Sequence, residues 1–587
     1  MCGIFAIINA LESSSSSKIK LSFEKGKNRG PEYSKLQHFG DDVTFGFHRL
    51  AINGLNEASH QPLLIDDVAL ICNGEIYNYR QLYENLQITP TTGSDCEVII
   101  HLYRRFGIES TLKMLDGVFS FVLYDMKTDD ETESNKIFFA RDPLGVRPLY
   151  IIRPLKEGPI LVASELKVLT DLYDDFALYH THSVQHFVPG TWSSCEKSLK
   201  ALDHWREVVV NQPYFLPVHF ENMVLKSVGK TNQPIHLNYV DSIQQHLVDA
   251  VAKRYLATER PIACLLSGGL DSSLIAALVC EINCYVQNLP YKESSKRIET
   301  YSIGLANSED LKFARMVAEH LGTKHTEIVV TEHEMISSIP EVIYAIESYD
   351  TTSVRASVGN YLLGKYIAAH SDAKVIFNGD GSDELCGGYL YMRNAPDCYE
   401  FDNECRRLLK DIHLFDVLRS DKCISSHGLE PRTPFLDKAF VNAYLSIHPT
   451  VRMPAKSDCE KMLLRTCFSK AHFKPVFNEQ LLPSEVLWRR KEAFSDGVSS
   501  SGGRSWYQIV QEFCNGLKLP DLSDVDRPPK TAEQAYYRHL FLKSFPRLSS
   551  IVPYFWMPKY VEGATDPSAR TLEVYQQQEQ QQEQQQS

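Results

Sequence analysis

No apolar run in this 587-residue chain approaches the roughly 18 residues that a membrane-crossing helix needs, so a helical anchor is not expected. Positive charge is in deficit as well: 61 Lys and Arg against 74 Asp and Glu leave a net charge of −13. Such a chain offers no general surface for neutralising phosphates, and nucleic acid is not expected as its main partner. The 14 cysteines form no framework, and close pairs such as Cys280 and Cys284 lack the companions of a zinc site. The opening residues, Met1-Cys2-Gly3-Ile4-Phe5, carry no basic leader and do not read as a signal peptide; a reducing, cytosolic compartment is expected. What remains is an ordinary globular composition, 43% hydrophobic and 23% charged. At about 100–200 residues per domain, the length suggests two to four domains, each able to bury a core.

Residues 2–200 are rich in β-branched or aromatic runs of strand length: Gly3–Asn9, Val43–Ile52, Val68–Cys72, Val118–Tyr124, Lys136–Ala140 and Ile160–Ala163. Helical patterns at Asn78–Leu86 and Asp95–Phe106 lie between them. In the second, Val98, Ile99, Leu102 and Phe106 recur near helical spacing, and Asp95 stands where an N-cap would. Hairpin-like strands with few helices suggest an α+β layered domain. Between residues 201 and 239, Pro213, Pro217 and Pro234 intervene and periodicity fades, which reads as a linker. From residue 240 to 572, helix and strand alternate. Ile243, Leu247, Val251 and Tyr255 share a helical face, Pro261–Leu266 reads as a buried strand, and further helices continue past Ala345. This second domain is expected to be α/β with a helical C-terminal part. Ser13–Ser17 reads as a flexible loop, and residues 573–587 as a Gln-rich tail that cannot bury anything.

Cys2 directly follows the initiator Met. A small second residue permits removal of Met1, leaving a thiol and a free α-amine on one residue. That amine, with an ordinary pKa of about 7.7–8.0, can serve as the thiol's base. An acyl-transferring thiol also needs oxyanion donors and a substrate clamp. Asn73-Gly74-Glu75, after the strand Val68–Cys72, offers a side-chain amide and an unencumbered backbone N–H. Arg49, in His48-Arg49-Leu50-Ala51-Ile52, can grip a carboxylate bidentately, and Asp95 in Gly93-Ser94-Asp95 can hold an ammonium group. Each alone has an ordinary role, as a turn, a surface pair and a cap. Together, Cys2-Gly3-Ile4, Arg49–Asn53, Asn73-Gly74-Glu75-Ile76-Tyr77-Asn78, Asp95 and the segment from Ala140-Arg141-Asp142 to Leu149-Tyr150 resemble the class II glutamine amidotransferases. The resemblance implies an N-terminal-nucleophile αββα sandwich in which Cys2 attacks the side-chain amide of glutamine, giving glutamate and ammonia. It implies an oxyanion site at Asn73 and the Gly74 amide. Glutamine would be held by these two with Arg49, Leu50, Ala51, Ile52, Asn53, Glu75 and Asp95.

The second signal is Leu265-Leu266-Ser267-Gly268-Gly269-Leu270-Asp271-Ser272-Ser273, between a strand and the helical run Leu274–Cys280. Glycines let backbone N–H groups approach an anion, the helix N-terminus adds partial positive charge, and two serines add hydroxyls. Asp271 would repel a phosphate unless a cation sits between, which Mg²⁺ resolves. Gly229-Lys230-Thr231 mimics the end of a Walker A loop, but Val224 occupies the required upstream glycine position and Asn232-Gln233-Pro234 follows in place of a helix. Ser267–Ser273 resembles the loop of ATP-pyrophosphatase ligases, which form acyl-adenylates and release pyrophosphate. Glu347–Ser357, Asn378-Gly379-Asp380-Gly381-Ser382-Asp383-Glu384, His427–Asp437, Leu487–Gly497, Tyr554–Lys559 and Ala564–Leu572 resemble the glutamine-hydrolysing asparagine synthetases. The resemblance implies an ATP site of Leu266, Ser267, Gly268, Gly269, Asp271, Ser272, Ser273, Ile303, Asn378 and Gly379, with Lys491 neutralising the leaving pyrophosphate. Asp271 and Asp383 would hold Mg²⁺, and Thr352 and Arg355 would bind aspartate. It also implies a homodimer.

One departure stands out. Where that family has Ser-Gly-Glu-Gly, this chain has Asn378-Gly379-Asp380-Gly381. Asp380 keeps the catalytic charge but is one methylene shorter, a displacement on the order of 1 Å that can cost about a hundredfold in rate. Adenylation is expected to be retained but slower. The reading is therefore a two-site enzyme with the co-substrates glutamine, aspartate and ATP. A β-lactam synthetase-like ligase is the nearest rival, but such enzymes typically lose the nucleophile that Cys2 supplies. A non-catalytic sensor or assembly protein is the rival from another class, supported only by Asp380.

Overall fold

The computed structural model describes residues 1–9, 16–127, 134–198, 204–217, 236–288, 296–455, 458–489, 504–522, 525–561 and 566–568. Twelve strands make two antiparallel sheets: β1 (Gly3–Ile8), β2 (Tyr33–Phe39), β3 (Val43–Arg49), β4 (Leu63–Ile65), β5 (Val68–Ile76), β6 (Gly117–Asp125), β7 (Ser134–Arg141), β8 (Tyr150–Pro154), β9 (Ile160–Ala163), β10 (His182–His186), β11 (Thr191–Ser198) and β12 (Arg206–Pro213). The orders are β10-β8-β9-β1-β3-β2 and β12-β11-β7-β6-β5-β4. The strands read as continuous apolar runs because both faces are covered. In β1, Ile4, Ala6 and Ile8 meet Ala69, Ile71, Val122 and Phe139 between the sheets. Phe5 and Ile7 turn outward onto the helix Leu166–Asp175, while Leu70 and Cys72 of β5 pack under the helices Tyr79–Leu86 and Val98–Met114. This is the layered αββα sandwich.

Two sequence expectations change here. β12 lies inside the stretch read as a linker, pairing antiparallel with β11 as an edge strand, and the helix His236–Leu256 also begins there. The first domain's sheet therefore runs to Pro213. Ser16 and Ser17, expected in a loop, open the helix Ser16–Glu24. Residues 218–235, with the Walker-like decoy, and residues 569–587, with the tail, lie outside the described residues.

The second domain has one parallel sheet: β13 (Ile262–Leu265), β14 (Glu299–Gly304), β15 (Lys324–Val329), β16 (Val375–Phe377) and β17 (Glu430–Arg432), in the order β15-β14-β13-β16-β17. Ala263 and Leu265 pack on one face, and Cys264 packs on the other under the helix Leu270–Gln287. Strand order reverses at β13, so a crevice opens at the carboxyl ends of β13 and β16, where ligands bind in such sheets. The domains share a core. Leu50, Ile52, Tyr77, Leu144 and Val146 of the first belong to the same apolar cluster as Ile243, Leu247 and Val251 of the second.

Candidate active sites

β5 runs through Ile76 rather than stopping at Cys72, so Asn73, Gly74 and Glu75 sit on a strand, not in a loop after one. Asn73 is wholly buried. Its Nδ2 donates to Ser164 Oγ at 3.4 Å, and its Oδ1 has no hydrogen-bond partner. Gly74 leaves no room for a side chain, since a Cβ would stand 2.4 Å from the Val118 carbonyl oxygen. Glu75 Oε2 accepts Asn53 Nδ2 at 2.7 Å, and burial, reinforced by Asp95, pushes its carboxyl well above the usual range. Asp95 caps no helix. Ser94 caps the turn Asp95–Glu97, while Asp95 Oδ2 accepts the Ile76 N–H at 2.6 Å. Burial raises its carboxyl to about 6, with that N–H pulling the other way.

Cys2 Sγ lies 3.6 Å from the Leu50 carbonyl oxygen. With Met1 attached, burial pushes the thiol up to about 11 and lowers the Met1 ammonium to about 5. Met1 is buried, its nitrogen 3.3 Å from the Leu429 carbonyl oxygen of the second domain. The Arg49 guanidinium spans its own loop, donating to the carbonyls of Asn56 at 2.9 Å, Asn53 at 3.3 Å and Gly54. Leu50, Ala51 and Ile52 are buried beside it. Sequence reasoning missed Arg29, whose Nε donates to the Cys2 carbonyl at 2.9 Å while Nη1 pairs with Glu165 and Asp421. A thiol, an amide donor and buried carboxyls thus converge at one end of the sandwich, suited to acyl transfer from a zwitterionic amide.

At the carboxyl ends of β13 and β16 lies a cavity of about 240 Å³. Leu266, Ser267, Gly269, Asp271, Ser272, Ile303, Asn378, Gly379, Asp380, Asp383 and Thr352 all line it. Gly268 shapes the loop from behind: its φ is +74°, and a Cβ would stand 2.5 Å from the Ala314 nitrogen. Ser273 is fully buried beneath the loop. Ser272 Oγ accepts the Ser267 N–H at 3.1 Å and closes the turn. Asp271 Oδ1 accepts Ser382 Oγ at 2.7 Å, and Lys461 Nζ bridges Asp271 Oδ2 at 2.5 Å and Asp383 Oδ1 at 2.6 Å. The two carboxylates therefore already share one cation. Among the described residues, no group of three or more His, Cys, Asp or Glu is placed to hold a metal alone. Two carboxylates completed by phosphate oxygens and water suit Mg²⁺, so the residues present fit that ion with a nucleotide.

Asp380 Oδ1 accepts Arg419 Nη2 at 3.3 Å, while Oδ2 has no hydrogen-bond partner; burial raises its carboxyl and Arg419 opposes. Next to it, the Tyr389 hydroxyl stands 2.5 Å from Glu384 Oε1 and 2.8 Å from Asp416 Oδ2. Burial and Asp416 push Glu384 well above the usual range, whereas Arg419 holds Asp416 at about 2 against its own burial. Arg355 departs from the expectation of an aspartate-binding residue. It does not line the cavity, because Glu533 and Asp566 occupy its guanidinium, Nε meeting Glu533 at 2.7 Å and Nη1 meeting Asp566 at 2.8 Å. It anchors C-terminal segments to the helix Thr351–His370, which carries Thr352 into the cavity. Lys491 lies outside the described residues, but Arg489 reaches the Gly268 carbonyl at 3.1 Å. Lys461 and Arg419 had no local signature; only the fold brings Lys461 to Asp271, 190 residues away.

An amidotransferase sandwich joined to a parallel-sheet domain with a phosphate-type loop defines a class: glutamine amidotransferases fused to a synthetase. Comparison agrees with both halves. Residues 1–203 match the glutamine amidotransferase domain family, and residues 242–403 and 396–547 match the asparagine synthase family. The chain is 41% identical to asparagine synthetase [glutamine-hydrolyzing] of Gallus gallus, over 98% of this chain and 99% of that one. It is 38% identical to the proteins of that name from Cricetulus griseus and Homo sapiens, with the same shares covered. The chain belongs to the glutamine-hydrolysing asparagine synthetase family.

Proposed function

We propose that this chain makes L-asparagine from L-aspartate and ATP, using nitrogen from the side-chain amide of L-glutamine. Once Met1 is removed, the Cys2 amine takes the thiol proton and Sγ attacks the glutamine amide carbon. Asn73 Nδ2 and the Gly74 N–H receive the oxyanion, while Arg49 and Asp95 hold the carboxylate and ammonium ends. Water then releases glutamate from the thioester, and the amide nitrogen has left as ammonia. In the second cavity, the β-carboxylate of aspartate attacks the α-phosphorus of ATP, giving β-aspartyl-AMP and pyrophosphate. Ammonia adds to the acyl carbon, AMP departs, and one proton is lost. Activation is needed because a carboxylate oxygen leaves poorly, whereas AMP leaves readily. Ser267–Ser273 and Lys491 bind the phosphates, Asp271 and Asp383 hold Mg²⁺, which supplies charge neutralisation there, and Thr352 and Asp380 face the acyl group. Passage of ammonia between the buried sites keeps it from becoming ammonium, which has no lone pair to attack with.

The observation that carries this reading is the pairing, across one continuous core, of Cys2 and its neighbours with a loop, Asp271 and Asp383 at a sheet's carboxyl edge. All 14 cysteines are free thiols, which suits the cytosol, and no helix among the described residues is long and apolar enough to cross a membrane. We also propose a homodimer, checked by light scattering. The function is tested by product analysis: glutamine, aspartate and ATP must yield asparagine, glutamate, AMP and pyrophosphate in equal amounts, and omission of aspartate must abolish AMP. Formation of ADP instead of AMP would refute the adenylate route.

A further inference from the structure

Arg432, on β17, touches both sites from a wholly buried position. Its carbonyl oxygen accepts the Asn378 N–H at 3.1 Å, where β16 opens into the nucleotide cavity. Its guanidinium points the other way. Nη2 donates to the Ala257 carbonyl at 2.9 Å and stands 3.5 Å from Glu75 Oε2 of the glutamine pocket, Nη1 donates to the Arg254 carbonyl, and Nε donates to Glu430 Oε1 at 2.9 Å. Ala257 lies just ahead of β13, the strand that ends in the phosphate-type loop. The glutamine loop docks on the same turn. Asn53 Nδ2 donates to the Ala257 carbonyl at 3.3 Å, Gly54 N–H to Glu259 Oε1 at 3.0 Å, and Glu259 N–H to the Ile52 carbonyl at 3.1 Å.

We propose that Arg432 is the positioning residue that couples glutamine binding to the nucleotide cavity. The inference rests on the two-site reading above. A glutamine ammonium arriving beside Glu75 and Asp95 competes with the guanidinium for Glu75 Oε2, the loosest of its contacts. The fork then redistributes onto Ala257 and Glu430, which lead to β13 and β17 and so to the two segments that line the ATP site. Ligands in that cavity act back on Glu75 through the same fork, since coupling between binding sites is reciprocal. The planar fork is what an ammonium cannot reproduce: Lys would keep the charge but could not hold Glu75, Ala257 and Glu430 together.

The test uses the full chain and Arg432→Lys. The glutamine KM of the glutaminase reaction is measured with and without ATP and aspartate, together with asparagine formed per glutamate from glutamine and asparagine formed from ammonium chloride. In the native chain, ATP and aspartate are expected to shift that KM about fivefold or more. In R432K the shift falls toward unity and asparagine per glutamate falls below about half, while ammonium-dependent synthesis stays within about twofold. Glu430→Gln, which keeps an acceptor for Nε but removes the charge that holds it, shifts both readouts in the same direction by less and keeps the test valid if R432K does not fold. An unchanged KM shift and product ratio in these variants overturns the proposal. So does an equal loss of glutaminase and ammonium-dependent activity, which marks a merely structural role. A native chain that makes asparagine with no KM shift also overturns it, whereas one that makes none from either donor sinks the two-site reading instead.

Discussion

Asp95 is buried and Asp416 half-buried, yet burial carries the first to about 6 while Arg419 holds the second at about 2. The difference decides which is poised near neutrality. Below about 6 Asp95 is a neutral acid with no grip on an ammonium, so the glutamine KM is expected to fall as pH rises through 6 and then level off. Asp95→Asn raises the KM and flattens that profile in a glutaminase assay from pH 5 to 8. The same raised pKa opposes folding. Its cost is absent below the ordinary 3.8, grows as pH rises to about 6, and is fully present above. With about 1.4 kcal/mol per pKa unit, D95N is expected to stabilise the protein by about 2–3 kcal/mol at pH 7.5 and not at pH 3.5, read by urea unfolding. Cys2→Ala removes the proposed nucleophile and is expected to lower glutaminase activity by on the order of 10³ or more, leaving ammonium-dependent asparagine synthesis intact. At Asp380, the missing methylene predicts that Asp380→Glu accelerates pyrophosphate release from ATP and aspartate, and Asp380→Asn slows it about a hundredfold. Equal rates in all three would show that the carboxylate takes no part.

The loop after β13 owes its shape to Gly268, whose φ of +74° and crowding by Ala314 no other residue tolerates. Gly268→Ala is expected to cost about 1–3 kcal/mol and to abolish AMP formation, with glutaminase activity retained. Loss of glutaminase activity as well would show that the strain spreads across the domain boundary. The elements that resemblance and patterning made legible are the ones buried on both faces: β1, β3, β5, β6, β7, β9 and β13 all announce themselves as apolar runs. β12 did not, because Arg206–Pro213 is an edge strand with Val208 and Val210 exposed and two prolines nearby, a composition that reads equally well as linker. β2 was hidden for a similar reason: its residues are only half-buried and mix Lys, Gln and His with Leu and Phe. Asp95 looked like a helix cap from spacing alone, but Ser94 took that role and left Asp95 free to bind the Ile76 N–H.

At the scale of the whole molecule, the candidate site residues visible in the sequence are those carried by compact motifs, Cys2, Asn73 to Glu75, Ser267 to Ser273 and Asn378 to Asp383. Lys461, Arg419, Arg29 and Arg432 escaped because each is defined by partners far along the chain, such as the pairing of Arg29 with Asp421 across 392 residues. Arg355 misled for the converse reason: its motif matches, but Glu533 and Asp566 claim its guanidinium. Those long-range pairs and the shared apolar cluster tie the two domains together around the two sites. On the proposed mechanism, nitrogen freed at Cys2 reaches the adenylate without mixing with solvent. The direct measurement supplies glutamine labelled with ¹⁵N in its amide, aspartate, ATP and an excess of unlabelled ammonium chloride, and follows the label by mass spectrometry. The account predicts that most asparagine formed is labelled. Label diluted to the proportion of free ammonium would contradict it.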